Sequence, residues 1–254
     1  MSLIEHDLYR GRIDKVQMEI ERLKAFEPQE GYYLAYSGGK DSDCILALAK
    51  MSGVKFDAHY NLTTVDPPEL VWHVKTHPEV MVERPKETMW QLIKRKRMPP
   101  TRLARFCCEI LKERGGKGRV VITGIRAEES SKRKKRSMTE RCYKDATKTY
   151  LHPIIDWTHG DVWEFIRTRN ISYCKLYDEG FKRLGCVMCP YSNIKEAYRR
   201  FPKIGEAWHR AVVRGFDNTK VLGLSGKDKF RDGEHLWQWW LSGKGKTEEG
   251  ELFT

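Results

Sequence analysis

The stretch Ser37-Gly38-Gly39-Lys40-Asp41-Ser42 constrains this chain more than any other. Before it stands Tyr32-Tyr33-Leu34-Ala35-Tyr36, which reads as a short buried strand ended by small residues. After it, residues 43–50 combine good helix formers with an apolar face at Ile45, Leu48 and Ala49. A glycine pair therefore sits in a strand-to-helix turn. Without a Cβ in the way, backbone N–H groups there can approach an anion. The helix start adds unpaired donors and partial positive charge. Lys40 adds a full charge, and Ser37 and Ser42 add hydroxyls that can donate to phosphate oxygens. A turn that merely contains glycine is the plainer alternative, but it leaves the lysine, the aspartate and both serines unexplained. The spacing is not that of the common P-loop, which needs four residues between its first glycine and its Gly-Lys-Ser/Thr.

Strands and helices alternate along the rest of the chain, which predicts an α/β fold with a doubly wound, Rossmann-like parallel sheet. Residues 4–26 read as one amphipathic N-terminal helix, ended by Pro28 and Gly31. Residues 54–62 alternate as a second strand and run into Thr63-Thr64-Val65-Asp66-Pro67-Pro68. Asp66 thus stands at a strand's carboxyl end, where open α/β sheets bind ligands. It is a candidate for a ribose hydroxyl or a metal, with a turn aspartate before prolines as the equal alternative. Residues 69–76 and 87–97 read as helices. Val120-Val121-Ile122-Thr123 reads as a central strand that delivers Gly124-Ile125-Arg126-Ala127-Glu128-Glu129-Ser130 at its carboxyl end. Residues 151–157 read as a strand leading into a helix that Thr158 caps, with Asp161 completing a capping box. The expected division is an N-terminal helix (1–30), a nucleotide-binding α/β domain (31–172) and a cysteine-rich, mostly helical C-terminal part (173–254). That last part holds a helix over 193–214 interrupted at Pro202, a tryptophan packing cluster and a loose Gly/Lys/Glu tail.

The 254 residues carry a net charge of +12, which favours a polyanionic partner or an anionic substrate. Five consecutive cations, Lys132 to Arg136, read either as a solvated loop or as a loop closing on phosphates or nucleic acid. No run of eighteen apolar residues occurs, so no membrane span is expected. The start of the chain lacks the order of a signal peptide, and a cytoplasmic setting with free thiols is expected.

Of the seven cysteines, Cys44 falls in a buried helix and reads as a small hydrophobe, while Cys142 and Cys174 show no pattern. Cys107, Cys108, Cys186 and Cys189 differ. Cys-x-x-Cys followed by proline sets two thiols on one tight turn, and an adjacent pair comes from far upstream. On these residues alone a tetrahedral zinc and an iron–sulfur cluster stand level, with a dithiol redox pair behind them.

The Ser-Gly-Gly-Lys-Asp-Ser loop resembles that of the ATP pyrophosphatases (the PP-loop), which split ATP between its α and β phosphates, adenylate an oxygen and let a nucleophile displace AMP. Cys-Cys and Cys-x-x-Cys, with Gly-Ile-Arg-Ala-Glu-Glu-Ser, Pro-Ile-Ile-Asp-Trp-Thr and Tyr-Asp-Glu-Gly-Phe between them, resemble the PAPS reductase family over roughly residues 30–200. The resemblance implies an adenine nucleotide alpha hydrolase-like fold. It implies ATP, or else PAPS or adenylyl sulfate, at Ser37, Gly38, Gly39, Lys40, Asp41, Ser42, Gly124 and Arg126, with Mg²⁺ beside Asp41. It also implies a [4Fe–4S] cluster on Cys107, Cys108, Cys186 and Cys189, with zinc as the alternative. Two features depart from the sulfonucleotide reductases. Within these 254 residues no cysteine follows Cys189, where those enzymes use a C-terminal catalytic thiol. The Gly-Gly-Lys-Asp core, which they lack, is intact. Both departures favour the ATP-using sulfur-transfer relatives, such as the sulfurtransferase of DNA phosphorothioation. The partners expected are then an adenine nucleotide, a nucleic-acid substrate and a sulfur-donor protein, with a homodimer open as the assembly. A reductase that borrows a thiol from another chain and a non-catalytic nucleotide- or nucleic-acid-binding protein are the rival readings.

Overall fold

The computed structural model describes residues 3–7, 11–216 and 230–243. In chain order its elements are β1 (Ile4–Asp7), β2 (Gly11–Asp14), α1 (Lys15–Ala25), β3 (Tyr32–Tyr36), α2 (Lys40–Ser52), β4 (Phe56–Asn61), α3 (Pro68–Lys75), β5 (Val80–Glu83) and α4 (Met89–Lys96). Then follow β6 (Val120–Ile122), α5 (Ser131–Lys134), β7 (Thr139–Arg141), β8 (Thr149–Leu151), α6 (His159–Thr168), α7 (Ile194–Arg200), α8 (Pro202–Gly215) and α9 (Gly233–Ser242). A single π-helical turn spans Cys108–Lys112, between α4 and β6. The elements sort into two compact units. One comprises Met1–Asn61, Pro68–Glu83 and Gly115–Leu184; the other comprises Leu62–Pro67, Arg84–Arg114 and Gly185–Thr254. Both are discontinuous in sequence.

The first unit is built on a six-stranded sheet in the order β5-β4-β3-β6-β8-β7. β3 pairs in parallel with β4, Tyr32 opposite Phe56 through Tyr36 opposite Tyr60, and with β6, Leu34 opposite Ile122. β4 with β5 and β6 with β8 are also parallel. β7 is antiparallel to β8, so the sheet is mixed at that edge. The short link between the two strands explains the reversal, because a parallel pair needs a crossover of a dozen residues or more. β3 is the central strand: Tyr32, Tyr33, Leu34 and Tyr36 are all buried, as a sheet covered on both faces requires. The Tyr32 hydroxyl donates to the Leu23 carbonyl at 2.8 Å, tying the strand to α1, and α2 packs between α1 and α6. From β3 the chain winds to β4 and β5 on one side, whereas β6 and β8 lie on the other. The strand order therefore reverses between β3 and β6, and ligands of such sheets bind beyond the carboxyl ends at that reversal.

Three local expectations are corrected. Residues 4–26 are not one helix: β1 and β2 form an antiparallel hairpin, and the helix begins only at Lys15. Gly11, at φ +71°, lies outside the helical region, and the Asp14 carboxylate accepts the N–H groups of Val16 and Gln17, which fixes the helix start. The strand expected over 151–157 is β8, which ends at Leu151. The cationic run is not a plain loop, since residues 131–134 form α5, capped by Ser130. The Thr158 cap does form as a capping box: its hydroxyl accepts the Asp161 N–H at 3.1 Å, and Asp161 accepts the Thr158 N–H at 2.7 Å.

In the second unit α4 and α9 each pack on α8, with α7 against both α8 and α9. The expected break at Pro202 separates α7 from α8. Trp208 stacks on Trp240 at 4.9 Å and meets Trp90 edge-on at 5.6 Å, so these tryptophans are a packing cluster. The Trp240 indole N–H donates to the Pro100 carbonyl at 2.8 Å. The Gly/Lys/Glu tail lies outside the described residues.

Candidate functional site

β3 ends at Tyr36 and the chain turns through Ser37, Gly38 and Gly39 into α2. Gly38 sits at φ +72°, and a Cβ there would meet Leu70 Cδ1 at 2.7 Å, so α3 packs directly behind the turn. Gly39 is the N-cap of α2 and supplies no side-chain cap. The Ser42 and Asp43 N–H groups donate to the Gly39 carbonyl at 2.8 and 3.0 Å, which leaves the Lys40 and Asp41 N–H groups for other partners. One of them, the Lys40 N–H, donates to the Tyr177 hydroxyl at 3.0 Å. Ser42 Oγ donates to the Gly39 carbonyl at 2.7 Å, and Ser37 Oγ lies 3.2 Å from Ser42 Oγ.

The charges converge on one carboxylate. Lys40 Nζ lies 2.7 Å from Asp41 Oδ2, and Arg126 Nε lies 2.7 Å from Asp41 Oδ1. Both cations are buried, at 4% and 3% exposure. Arg126 comes from the carboxyl end of β6, and Gly124 lets it arrive: a Cβ at Gly124 would lie 2.8 Å from the Asp41 carbonyl. Arg126 also pairs with Glu128 at 3.0 Å, and its N–H donates to Glu129 at 3.0 Å. Burial would pull the Arg126 pKa down, but Asp41 and the two glutamates outweigh it and raise it. Glu128 accepts the His159 N–H at 2.5 Å. Burial, then the charges of Lys40 and Arg126, hold the His159 imidazole below its usual pKa. Two buried cations, a glycine turn at a helix start and a carboxylate between the cations form a site suited to a polyphosphate and its counter-cation.

The cationic run is linked to this site. Arg133 pairs with Glu129, whose carboxylate also takes the Arg126 N–H. Arg136 pairs with Glu140 at 3.0 Å. Lys132, Lys134 and Lys135 are exposed. The run thus divides into two arginines tied to glutamates and three lysines facing water.

The second unit gathers Cys107, Cys108, Cys186 and Cys189. Cys108 opens the π-helical turn, closed by Glu113 N–H to the Cys108 carbonyl at 2.9 Å. Cys186 and Cys189 lie on a turn with Cys189 N–H on the Cys186 carbonyl at 3.2 Å, pinned by Val187 N–H to Val65 O at 2.8 Å. The hydrogen bond from Cys107, then Arg105 with Nη2 3.5 Å from the sulfur, hold the Cys108 thiol well below its usual pKa. That same bond and burial push Cys107 up, and the charges of Cys186 and Cys189 add to it. Burial raises Cys186 against the opposing charge of Lys112. Cys186 Sγ lies 3.3 Å from the Thr63 hydroxyl, and Asp66 accepts the Thr63 N–H at 2.6 Å.

Ser37 to Ser42, Gly124 and Arg126 therefore come together in the first unit, and Asp66 joins the cysteines in the second. Sequence reasoning assigned no role to Tyr177, Glu128 or His159. The Tyr-Asp-Glu-Gly-Phe and Ala-Glu-Glu segments contain the first two, but their register against Lys40 and Arg126 exists only once the sheet is assembled.

The model of the phosphoadenosine phosphosulfate reductase domain matches residues 31–192. An uncharacterised protein of Methanocaldococcus jannaschii is 31% identical over 223 residues, covering 81% of this chain and 45% of that protein. An adenosine 5'-phosphosulfate reductase of Oceanobacillus iheyensis is 39% identical over 70 residues, 27% of this chain and 28% of that one. The phosphoadenylyl-sulfate reductase of Candida auris, solved as a phosphate complex, superposes with a TM-score of 0.52 at 18% identity over 67% of this chain and 87% of that one; this likeness bears on the fold alone. The chain spans about half the length of the two Methanocaldococcus jannaschii relatives it matches.

Proposed function

We propose that this chain, which belongs to the phosphoadenosine phosphosulfate reductase family, splits ATP to AMP and pyrophosphate to activate an acceptor for sulfur transfer. The observation that carries the reading is the intact glycine turn with Lys40 and Arg126 both held on Asp41. Asp41 partners both cations. An arriving triphosphate competes for them. Lys40 then turns from Asp41 to the phosphates, and Asp41 is the carboxylate that would hold Mg²⁺, whose charge would offset that of the triphosphate. The Tyr177 hydroxyl occupies the Lys40 N–H until a phosphate oxygen replaces it. Ser37 and Ser42 add hydroxyl donors, and Gly124 keeps Arg126 within reach of the phosphates.

An acceptor oxygen attacks the α phosphorus, the bond to the β-phosphate oxygen breaks, and pyrophosphate leaves with the electron pair. The N–H groups of Gly38 and Gly39, with Lys40, stabilise the charge that grows on the leaving group. Sulfur from a donor then displaces AMP from the adenylated acceptor. The net positive charge of +12 and the outward lysines of α5 support a nucleic acid as the acceptor.

The four thiols fit a [4Fe–4S] cluster by their donor chemistry. Cys107 feels the charges of Cys186 and Cys189, and the cations of Arg105 and Lys112 offset thiolate charge. Such a group would supply thiolate-bound iron for sulfur or electron handling. Burial and the charge of Asp66 raise the Cys186 thiol, and Lys112 and the Thr63 hydroxyl work against them.

The test is turnover. ATP should yield AMP and pyrophosphate when sulfur donor and acceptor are supplied, and Lys40→Ala should lose most of that rate. Thiol-dependent sulfite release from a sulfonucleotide, with no ATP cleavage, would assign the chain to reduction instead.

A further inference from the structure

We infer that Asp43, His73 and His77 form a binding site for one divalent transition-metal ion, zinc foremost, distinct from the four thiols. One donor atom from each residue lies within 4.8 Å of the other two, and among the described residues no other set of three His, Cys, Asp or Glu donors is so close. Asp43 stands in the first turn of α2, His73 in the last turn of α3, and His77 four residues on. The turn continues past α3 through Thr76 N–H to His73 O at 3.0 Å and His77 N–H to Val74 O at 3.1 Å, which keeps both imidazoles on one side. Their rings lie 5.0 Å apart, edge to face.

Hydrogen bonding within the protein leaves this cluster half satisfied. Asp43 Oδ1 accepts the Tyr36 hydroxyl at 2.5 Å and lies 3.0 Å from His73 Nε2. Asp43 Oδ2 and His77 Nε2 have no hydrogen-bond partner although both are buried, and Asp43 is only 1% exposed. An unmet carboxylate oxygen and an unmet imidazole nitrogen in one buried spot are both costly to leave without a partner. A cation meets both at once. Two imidazoles and one carboxylate suit zinc and its neighbours, whereas magnesium and calcium prefer oxygen and monovalent copper prefers sulfur. Zinc bonds of about 2.0–2.1 Å set tetrahedral donors roughly 3.3 Å apart, so the three need only draw together by about 1.5 Å at most. Three protein donors leave a fourth position, which the Tyr36 hydroxyl or a water can face.

The ion would brace the nucleotide loop from behind. Asp43 lies two residues beyond Asp41, and the helix that brings His73 also carries Leu70 and Val74, the side chains against Gly38. The inference stands apart from what the loop does with its nucleotide.

The experiment uses the full chain with its thiol group in place. Zinc chloride is titrated into wild type, His77→Gln and His73→Gln, and crystals grown with zinc are examined by anomalous diffraction. Wild type should bind one zinc more than either variant, with His77→Gln weakening that equivalent by more than about tenfold. Its melting temperature should rise with zinc, and that of His77→Gln should not. A Cys107→Ser variant should keep this equivalent. An anomalous peak should lie among the three side chains. Equal zinc stoichiometry in wild type and His77→Gln would overturn the site. So would density there without anomalous signal, the mark of a buried water alone. If His77→Gln fails to fold, the wild-type anomalous map decides.

Discussion

Lys40 is held 2.7 Å from Asp41 in a buried setting, so its replacement should cost what a charge-assisted hydrogen bond is worth. Lys40→Ala should reduce ATP affinity or turnover by about 1–3 kcal/mol, roughly 5- to 150-fold; an unchanged rate and affinity would remove ATP from this loop. Gly38 tests the turn itself. Gly38→Ala forces an alanine to φ +72° and a Cβ against Leu70 at 2.7 Å, whereas Gly53→Ala meets φ +71° with nothing within 4 Å. The first should lose about 1–3 kcal/mol in urea unfolding and the second only about 1. Equal losses would mean that the contact with α3 adds nothing. Asp161 carries the acid sensitivity of its region. Burial pushes its carboxyl up, but the Thr158 N–H and Lys15 at 2.9 Å outweigh that and lower it. Its folded pKa therefore lies below the unfolded one. The stability it contributes is full above the ordinary aspartate value of about 3.9 and is lost as pH falls through the folded value. Asp161→Asn should cost about 2–3 kcal/mol at pH 7, because Lys15 stays buried with only Glu5. The variant should also show a shallower acid-side decline below about pH 4 in denaturation measured across pH.

At the level of elements, two short pieces present the thiols: the π-helical turn at Cys108 and the Cys186–Cys189 turn. Neither has length enough to be stable alone; the Cys186–Cys189 turn is held by the Val187 N–H on the Val65 carbonyl, and the π-helical turn is joined to the chain before it by the Cys108 N–H on the Arg105 carbonyl. If the four sulfurs share one iron–sulfur group, Cys→Ser at 107, 108, 186 or 189 should lower iron content and visible absorbance. Cys142→Ser should leave both unchanged. Stoichiometric zinc without iron in protein prepared without air would replace the cluster by a structural zinc. The glycine turn of residues 37–42, by contrast, is an element junction legible from sequence. A strand of buried residues, two glycines and a helix start leave few ways to fold, and β3, the turn and α2 fall where the residues 32–50 predict. The N-terminal segment shows the limit of such reading. Apolar spacing over residues 4–26 fits a helix, yet Gly11 and the Asp14 cap favour a hairpin before α1. Periodicity counts apolar positions and ignores what the backbone does at one glycine.

For the molecule as a whole, the charge of +12 becomes a question of where the cations point. In α5 and the residue after it, Lys132, Lys134 and Lys135 are exposed while Arg133 and Arg136 pair with glutamates. Replacing the three lysines by alanine should reduce the slope of log affinity against log salt for DNA or RNA by roughly two to three units, with ATP binding nearly intact. Loss of ATP affinity with an unchanged slope would make the run a nucleotide clamp. No change in either would leave it a solvated surface. Among the described residues no helix is long and apolar enough to cross a membrane.

The sequence by itself determined the glycine turn, the strand–helix alternation and the Thr158 cap, because each depends on residues within a few positions of one another. It determined the pairing of Cys-Cys with Cys-x-x-Cys only as a pattern of donors. Tertiary structure decided that Arg126 closes on Asp41 across 85 residues, that Tyr177 reaches the Lys40 N–H, and that Asp66 stands with Cys186. It also decided that Asp43 meets His73 and His77, for which His-Val-Lys-Thr-His was the only local sign. These are contacts between chain segments brought together by the order of strands in the sheet and by the folding of the second unit. No local spacing encodes them, since the free energy that selects that order comes from burying whole faces of sheet and helix rather than from any one of the residues concerned.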